Sequence, residues 1–315
     1  MRQVFAAPLG KNVSALGFGC ASLGSRVSAS EGLAALSRAY DHGVTWFDVA
    51  PPYGDGRAET LLGQFLRGRR SNVVICTKVG IEPPQVSMKA QLLKPLMRVA
   101  LKGAPRIRNA IAKHRPASVR EPVDSRLIEA SVTRSLRKLG VDHIDVLALH
   151  EPLLDDIQRE DVRGALQRLV EKGYARVIGI AGDRAVAEQG IADFPLYRMV
   201  QFADGPFEAP LPLHKVLRVT HSVFGVSGAL AKLTQAVTSD ETLRAKLADL
   251  DFNGPIKEVA ASALLDFALS NNRDGIVLAS MFHTSHLERN IGRTSRPPND
   301  AIVCLLRNIF RGSAL

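Results

Sequence analysis

Short apolar runs alternate along this chain with longer stretches in which apolar residues recur at helical spacing, and that alternation predicts a parallel sheet built from βα units. The first core strand is expected at Ala15-Leu16-Gly17-Phe18-Gly19 and the second over Val44 to Ala50. Asn72 to Val79 (NVVICTKV), nearly all apolar, reads as the third, followed by Ile144 to His150 and Ala175 to Ala181. Met199 to Phe202, Ser222 to Val226 and Gly275 to Ser280 are read as the sixth, seventh and eighth.

Between them stand helix signals with defined ends. Ser28 with Glu31 makes a capping box, and His42-Gly43 stops the helix after about Asp41. Glu59 to Leu66 is helical, and Ile128, Val132, Leu136 and Leu139 share a face that ends at Gly140. A helix around Val162 to Glu171 ends at Gly173, and Pro255 suits the first turn of one running through Leu269. Eight strands, each trailed by a helical segment, fit an α/β fold of (β/α)8 TIM-barrel type, a single domain over residues 1–315, better than an open sheet. In such barrels the chemistry gathers at the C-terminal ends of the strands.

Composition narrows the class. With 46% hydrophobic and 23% charged residues the chain can bury a large core and is not disordered by composition. No apolar run approaches the length that crosses a bilayer, and the N-terminus lacks the pattern of a signal peptide. Cys20, Cys76 and Cys304 are odd in number and widely spaced, so no metal or disulfide framework is expected, and a reducing, cytoplasmic setting is. The net charge of +10 is concentrated. Lys89, Lys94, Arg98, Lys102, Arg106, Arg108, Lys113, Arg115 and Arg120 follow Pro83 with no acidic residue among them.

Three strand ends carry candidate chemistry. Asp48 closes the second strand, Lys78 lies at the end of the third and His150 ends the fourth, so all should meet at one mouth. After Asp48 the turn Ala50-Pro51-Pro52 returns Tyr53 beside the carboxylate. A phenol with an ordinary pKa near 10 needs cationic help to move protons, and a neighbouring lysine is expected to pull its pKa down. A carboxylate paired with that lysine would hold the ammonium in place. No Gly-x-Gly-x-x-Gly follows a strand, so a Rossmann domain is unsupported.

With these residues in this order, the chain resembles the aldo-keto reductases, from Leu16-Gly17-Phe18-Gly19 to His286-Leu287-Glu288-Arg289-Asn290. The resemblance implies an NAD(P)(H)-dependent barrel that reduces an aldehyde or ketone, or oxidises an alcohol or sugar hemiacetal. Tyr53 would be the general acid/base, Asp48 and Lys78 would tune it, and His150 would orient the carbonyl. For the cofactor, NADP(H) or NAD(H), it implies Gln201 at the carboxamide and Phe224, on the seventh strand, against the nicotinamide ring. Ser280, Met281, His286 and Asn290 would lie along the rest of it. Ala181 and Gly182 depart from the family's usual polar pair after the fifth strand, and no arginine stands where a 2′-phosphate would be gripped, Arg289 being the nearest in sequence. Those departures keep open a second reading, a nicotinamide-nucleotide sensor or regulatory barrel with little turnover.

The basic segment lengthens the connection after the third barrel strand, over 83–123. Leu92, Leu93, Leu96, Met97, Ala100 and Leu101 recur at helical spacing among lysines and arginines, which predicts a basic amphipathic helix interrupted by Pro95; Ile107, Ile111 and Ala112 suggest a second, shorter one. A loop of this length in a compact domain is usually functional or structured. Leaving the catalytic face, it would make a lid whose charge favours an anionic small molecule. Docking on an anionic membrane surface and a solvated flap are the competing readings. Nucleic acid is not expected, since the stretch lacks stacking aromatics.

Overall fold

The computed structural model describes residues 1–83, 119–120, 122–208 and 216–312. Eight parallel strands close into a barrel: β3 (Leu16–Gly19), β4 (Trp46–Asp48), β5 (Val74–Val79), β8 (Ile144–His150), β9 (Ala175–Ala181), β10 (Tyr197–Ala203), β11 (Leu217–His221) and β12 (Ile276–Ala279), with β12 returning to β3. Closure follows from register: Leu278 pairs with Gly17 as Gly17 pairs with Trp46. The join is tight, because a Cβ on Gly17 would stand 2.8 Å from Trp46 and 2.6 Å from Leu278. Helices surround the ring, as the apolar strands on both faces require.

The expected helix signals sit where they should. In α1 (Ala29–Asp41) Ser28 and Glu31 exchange both capping-box hydrogen bonds, and Gly140 ends α3 (Ser125–Leu139) in the left-handed conformation. Between these lies α2 (Ala58–Leu66). Five further helices run along the chain: α4 (Leu154–Gln158), α5 (Glu160–Glu171), α6 (Arg184–Asp193), α7 (Ala229–Ser239) and α8 (Glu241–Asp249). The last three are α9 (Ile256–Asn271), α10 (Thr284–Thr294) and α11 (Asp300–Gly312).

One expected strand is misplaced. The seventh barrel strand is Leu217–His221, and residues 222–226 form a turn that leaves it, with Ser222 left-handed at φ 63°. Arg218 and Thr220 disguise the strand in sequence. Arg218 instead hydrogen-bonds Asn272 and the Asn271 carbonyl at the end of α9, while Leu217 and Val219 are buried. Val223 is buried and Phe224 half-buried against the core, so their apolar character reflects loop packing.

Two short pairings flank the barrel. The hairpin β1 (Gln3–Ala6) and β2 (Lys11–Ser14) runs straight into β3 and packs at the N-terminal end, with Ala6 and Val13 in the core. At the other end, β6 (Ile81–Glu82) follows β5 and pairs antiparallel with β7 (Val119–Arg120). The chain therefore leaves and rejoins the barrel at one place beside the mouth. The amphipathic helices expected between them lie outside the described residues.

Candidate active site

Asp48, Lys78 and His150 arrive on β4, β5 and β8, three neighbours in the ring. Alternation along β5 points Cys76 and Lys78 inward, while Thr77 faces out and bonds Glu59 of α2 at 2.9 Å. Lys78 Nζ donates to Asp48 Oδ1 at 2.7 Å and to the Val49 carbonyl at 3.1 Å, and both residues are 2% exposed. A charged pair this deep is tolerable only because each partner satisfies the other. Tyr53 is brought over it by the Pro51-Pro52 turn, closed by Tyr53 N–H to the Ala50 carbonyl at 3.0 Å. Lys78 Nζ lies 5.0 Å from the centre of the phenol ring, and the His150 ring stands edge-on to that ring at 5.9 Å.

Burial sets the protonation states. It is the largest influence on Tyr53 and pushes the phenol above its ordinary value; Lys78 pulls it down and Asp48 pushes it up again. The expected lowering of this pKa is therefore reversed, because desolvation outweighs a cation whose charge the carboxylate largely offsets. Burial works to lower Lys78, but Asp48, Tyr53 and Cys76 together raise it, so it stays an ammonium. His150 is driven down to about 3 by burial, then by Lys78 and His221, which leaves a neutral imidazole. Its Nδ1 is buried without a hydrogen-bond partner among the described residues.

Gln201 sits on β10, opposite Asp48 in the ring, and its buried amide oxygen lies 3.9 Å from the Cys76 sulfur. Phe224 is off the strand, in the turn beyond it. The side chain that β11 delivers to the mouth is His221, because the seventh strand ends there and not at residue 226. A signal existed: Leu217-Arg218-Val219-Thr220-His221 ends in histidine as Ile144 to His150 does. Asp48 and Lys78 both act electrostatically on His221, and His221 on His150, which puts it in the same cluster. Backbone strain also gathers here. Asp55, Glu151 and Ser222 take left-handed φ values of 57°, 50° and 63° just beyond Tyr53, His150 and His221.

The groups after β12 are split. Ser280 is exposed and bonds the Gly19 carbonyl at 3.3 Å, whereas the Met281 side chain is fully buried in the core and offers the mouth only backbone. On α10, His286 is exposed and Asn290 buried. Arg289 is taken by Glu258 at 3.0 Å. Another arginine approaches instead: Arg38 of α1 reaches the Phe282 carbonyl at 3.4 Å, its buried Nε without a partner among the described residues. Gly182 donates to the Gln201 carbonyl and Glu151 to the Ala181 carbonyl, so the backbone after β9 is partly used within the fold.

Comparison with known proteins agrees with this architecture. The sequence profile of the Aldo/keto reductase family matches residues 15–189, and the chain belongs to that family. It is 33% identical over 183 residues to a D-threo-aldose 1-dehydrogenase from Pseudomonas sp, covering 56% of this chain and 52% of that protein. It is 31% identical over 170 residues to a probable voltage-gated potassium channel subunit beta from Arabidopsis thaliana, covering 53% and 42%. The chain thus spans about half the length of the curated relatives it matches. Among solved structures, an aldo-keto reductase from Bacillus halodurans in its holo form superposes with a TM-score of 0.70 at 19% identity, over 98% of this chain and 95% of that one. An enzyme from Klebsiella pneumoniae in complex with NADP and acetate gives 0.69 at 17% identity, over 98% and 96%. At such identities the likeness concerns the fold.

Proposed function

We propose that this protein interconverts a small carbonyl compound and its alcohol with a nicotinamide dinucleotide, with Tyr53 as the general acid/base. The observation that carries the reading is the buried Lys78–Asp48 pair beneath Tyr53, with a neutral His150 edge-on to the phenol. A pair that costs this much desolvation is not needed to close a barrel. It is useful where charge develops in a reaction.

The mouth suits such a cofactor. Gln201 on the strand opposite the pair, Ser280 just after β12, His286 and Asn290 on α10, and the Arg38 guanidinium that reaches the Phe282 carbonyl support this reading as polar groups for such a cofactor. When bound, the nicotinamide supplies or accepts hydride at the carbonyl carbon. Tyr53 holds its proton at neutral pH because burial raises it, so it donates to the carbonyl oxygen in reduction. In oxidation it must first release that proton, and the Lys78 ammonium stabilises the phenolate that results. His150, kept neutral, donates a hydrogen bond to the same oxygen. The Klebsiella pneumoniae structure holds NADP, which supports NADP(H) over NAD(H) here. The aldose dehydrogenase relative supports a sugar or other hydroxylated carbonyl as substrate.

A nucleotide-binding regulatory barrel is the second reading, favoured by the likeness to a channel beta subunit. One experiment separates them. Both reduced nucleotides are titrated against the protein, and a panel of aldehydes, ketones and aldoses is then screened for cofactor oxidation. Binding with turnover supports the enzyme, binding without turnover supports the regulator, and no binding at millimolar nucleotide defeats both.

A further inference from the structure

The three acid–base residues on strands leave half of the mouth unused. In a closed ring of eight, the strand four places round is diametrically opposite, and for β5 that strand is β11. His221 therefore faces Lys78 across the mouth. The carbonyl oxygen is to be held by Tyr53 and His150, on the β4–β5–β8 side. The hydride donor must then approach from the remaining side, where β10 carries Gln201 near its end, β11 ends in His221 and Ser280 directly follows β12.

We propose that His221 lies against the nicotinamide and distinguishes its oxidised from its reduced form. This rests on the reading that the site binds a nicotinamide dinucleotide. The two forms carry the same phosphates and differ in one formal charge, on the oxidised ring. Beside a neutral imidazole that difference meets no penalty. Beside an imidazolium it meets repulsion at close range in a poorly solvated pocket.

The imidazole is built to be held in place. Ser222 Oγ is 2.8 Å from its Nδ1, and the left-handed backbone at Ser222 turns the chain away directly after it. Its own carbonyl accepts the Asp204 N–H at 3.0 Å. Among the described residues the charged groups around it are few. Asp48 and Lys78, paired with each other on the far side of the mouth, act on it in opposite directions, and His150 of β8 is neutral. The Asp204 carboxylate is occupied by Asn271 at 2.8 Å and the Gly205 N–H at 3.0 Å, and Arg218 points outward to Asn272. Burial lowers the His221 pKa, Asp48 raises it and Lys78 lowers it, and the net direction is down. The ring is thus neutral at pH 7 and gains its charge on the acid side. By linkage, acidification must then weaken the oxidised nucleotide relative to the reduced one.

The test is a pair of dissociation constants, for NADP⁺ and NADPH (and the NAD pair beside them), read from quenching of the lone tryptophan, Trp46, between pH 8 and 5.5. Taking their ratio cancels titration of the phosphates. In the wild type the ratio of oxidised to reduced dissociation constants should rise at least about fivefold as pH falls, the lower end of usual coupling strengths. In His221→Phe and His221→Asn, neither of which titrates there, it should stay flat. A flat wild-type ratio overturns the proposal, as does a slope that survives in either variant, which would assign the effect to another group such as His150. If the wild type binds neither nucleotide, the nicotinamide reading itself fails and the inference falls with it.

Discussion

Lys78 sits inside the barrel with Asp48 at 2.7 Å, and the chemistry proposed for the mouth follows from that pairing. The ammonium stays charged where water cannot reach it, while the phenol above it stays protonated. Tyr53→Phe removes one oxygen and leaves the ring, so turnover should fall by about 10²–10⁴ or more, the usual share of general acid–base catalysis. Nucleotide affinity should hold within a few-fold, and steady-state kinetics beside a fluorescence titration reads both. His150 gives a pH prediction. Its folded pKa of about 3 lies below the ordinary 6.5, so between those values the unfolded chain binds more protons than the folded one. Stability from this group is complete above pH 6.5 and is lost as pH falls toward 3. The slope is at most about 1.4 kcal/mol per pH unit, less where solvent reaches the ring. Denaturant melts at pH 7 and 4.5 should show a smaller difference in His150→Asn than in wild type; equal differences would refute this.

At the scale of elements, strand ends and the turns after them aim the site. The turn from Ala50 to Gly56 must reverse within a few residues to set Tyr53 over Lys78, and Gly54 makes that possible. It has φ 61°, and a Cβ there would stand 1.8 Å from the Leu23 carbonyl oxygen, which is backbone and cannot swing away. Gly54→Ala should therefore shift Tyr53 and cut kcat at least about tenfold, with a stability loss of about 1–3 kcal/mol from strain. A variant with unchanged kcat would show that the turn tolerates the move. Elements with strong local signals were legible in the sequence: the Ser28–Glu31 box, the Gly140 stop, and strands β8 and β9 to the residue. β11 was not, because its outward positions are polar for a tertiary reason, the contact of Arg218 with the end of α9.

On the scale of the whole molecule the barrel carries the proposed site at one end and a structural cluster at the other. At the structural end Asp145, 1% exposed, collects Arg70 at 2.8 Å, Arg176 at 3.9 Å, and Lys11 and His143 at 4.0 Å, while its Oδ2 accepts the Ile75 N–H. It ties the hairpin, the entry to β5, β8 and β9 into one base. Asp145→Ala leaves Arg70, Arg176 and Lys11, all partly solvated, and the buried Ile75 N–H without their carboxylate and should cost about 1–3 kcal/mol, read by chemical denaturation, with nucleotide binding of the folded fraction unchanged. At the end of the proposed site the β6–β7 pairing brings the basic segment out and back beside the mouth. We propose on that ground, and on its charge, that it favours anionic substrates. Neutralising Lys94, Arg98 and Lys102 together should raise KM several-fold for an anionic carbonyl and leave a neutral one nearly unchanged; equal effects would end the idea.

By itself the sequence determined the alternation of strands and helices, and with it a barrel, because burial on both faces and helix caps are local patterns that one chain displays openly. It also determined which strand ends carry Asp48, Lys78 and His150, and the turn that carries Tyr53. Tertiary structure alone decided the rest. The direction of the Tyr53 pKa depends on how far burial outweighs a paired cation, and pairwise reasoning along the chain cannot weigh that. The place of His221 opposite Lys78 depends on ring closure, which sets two residues far apart in sequence across one mouth.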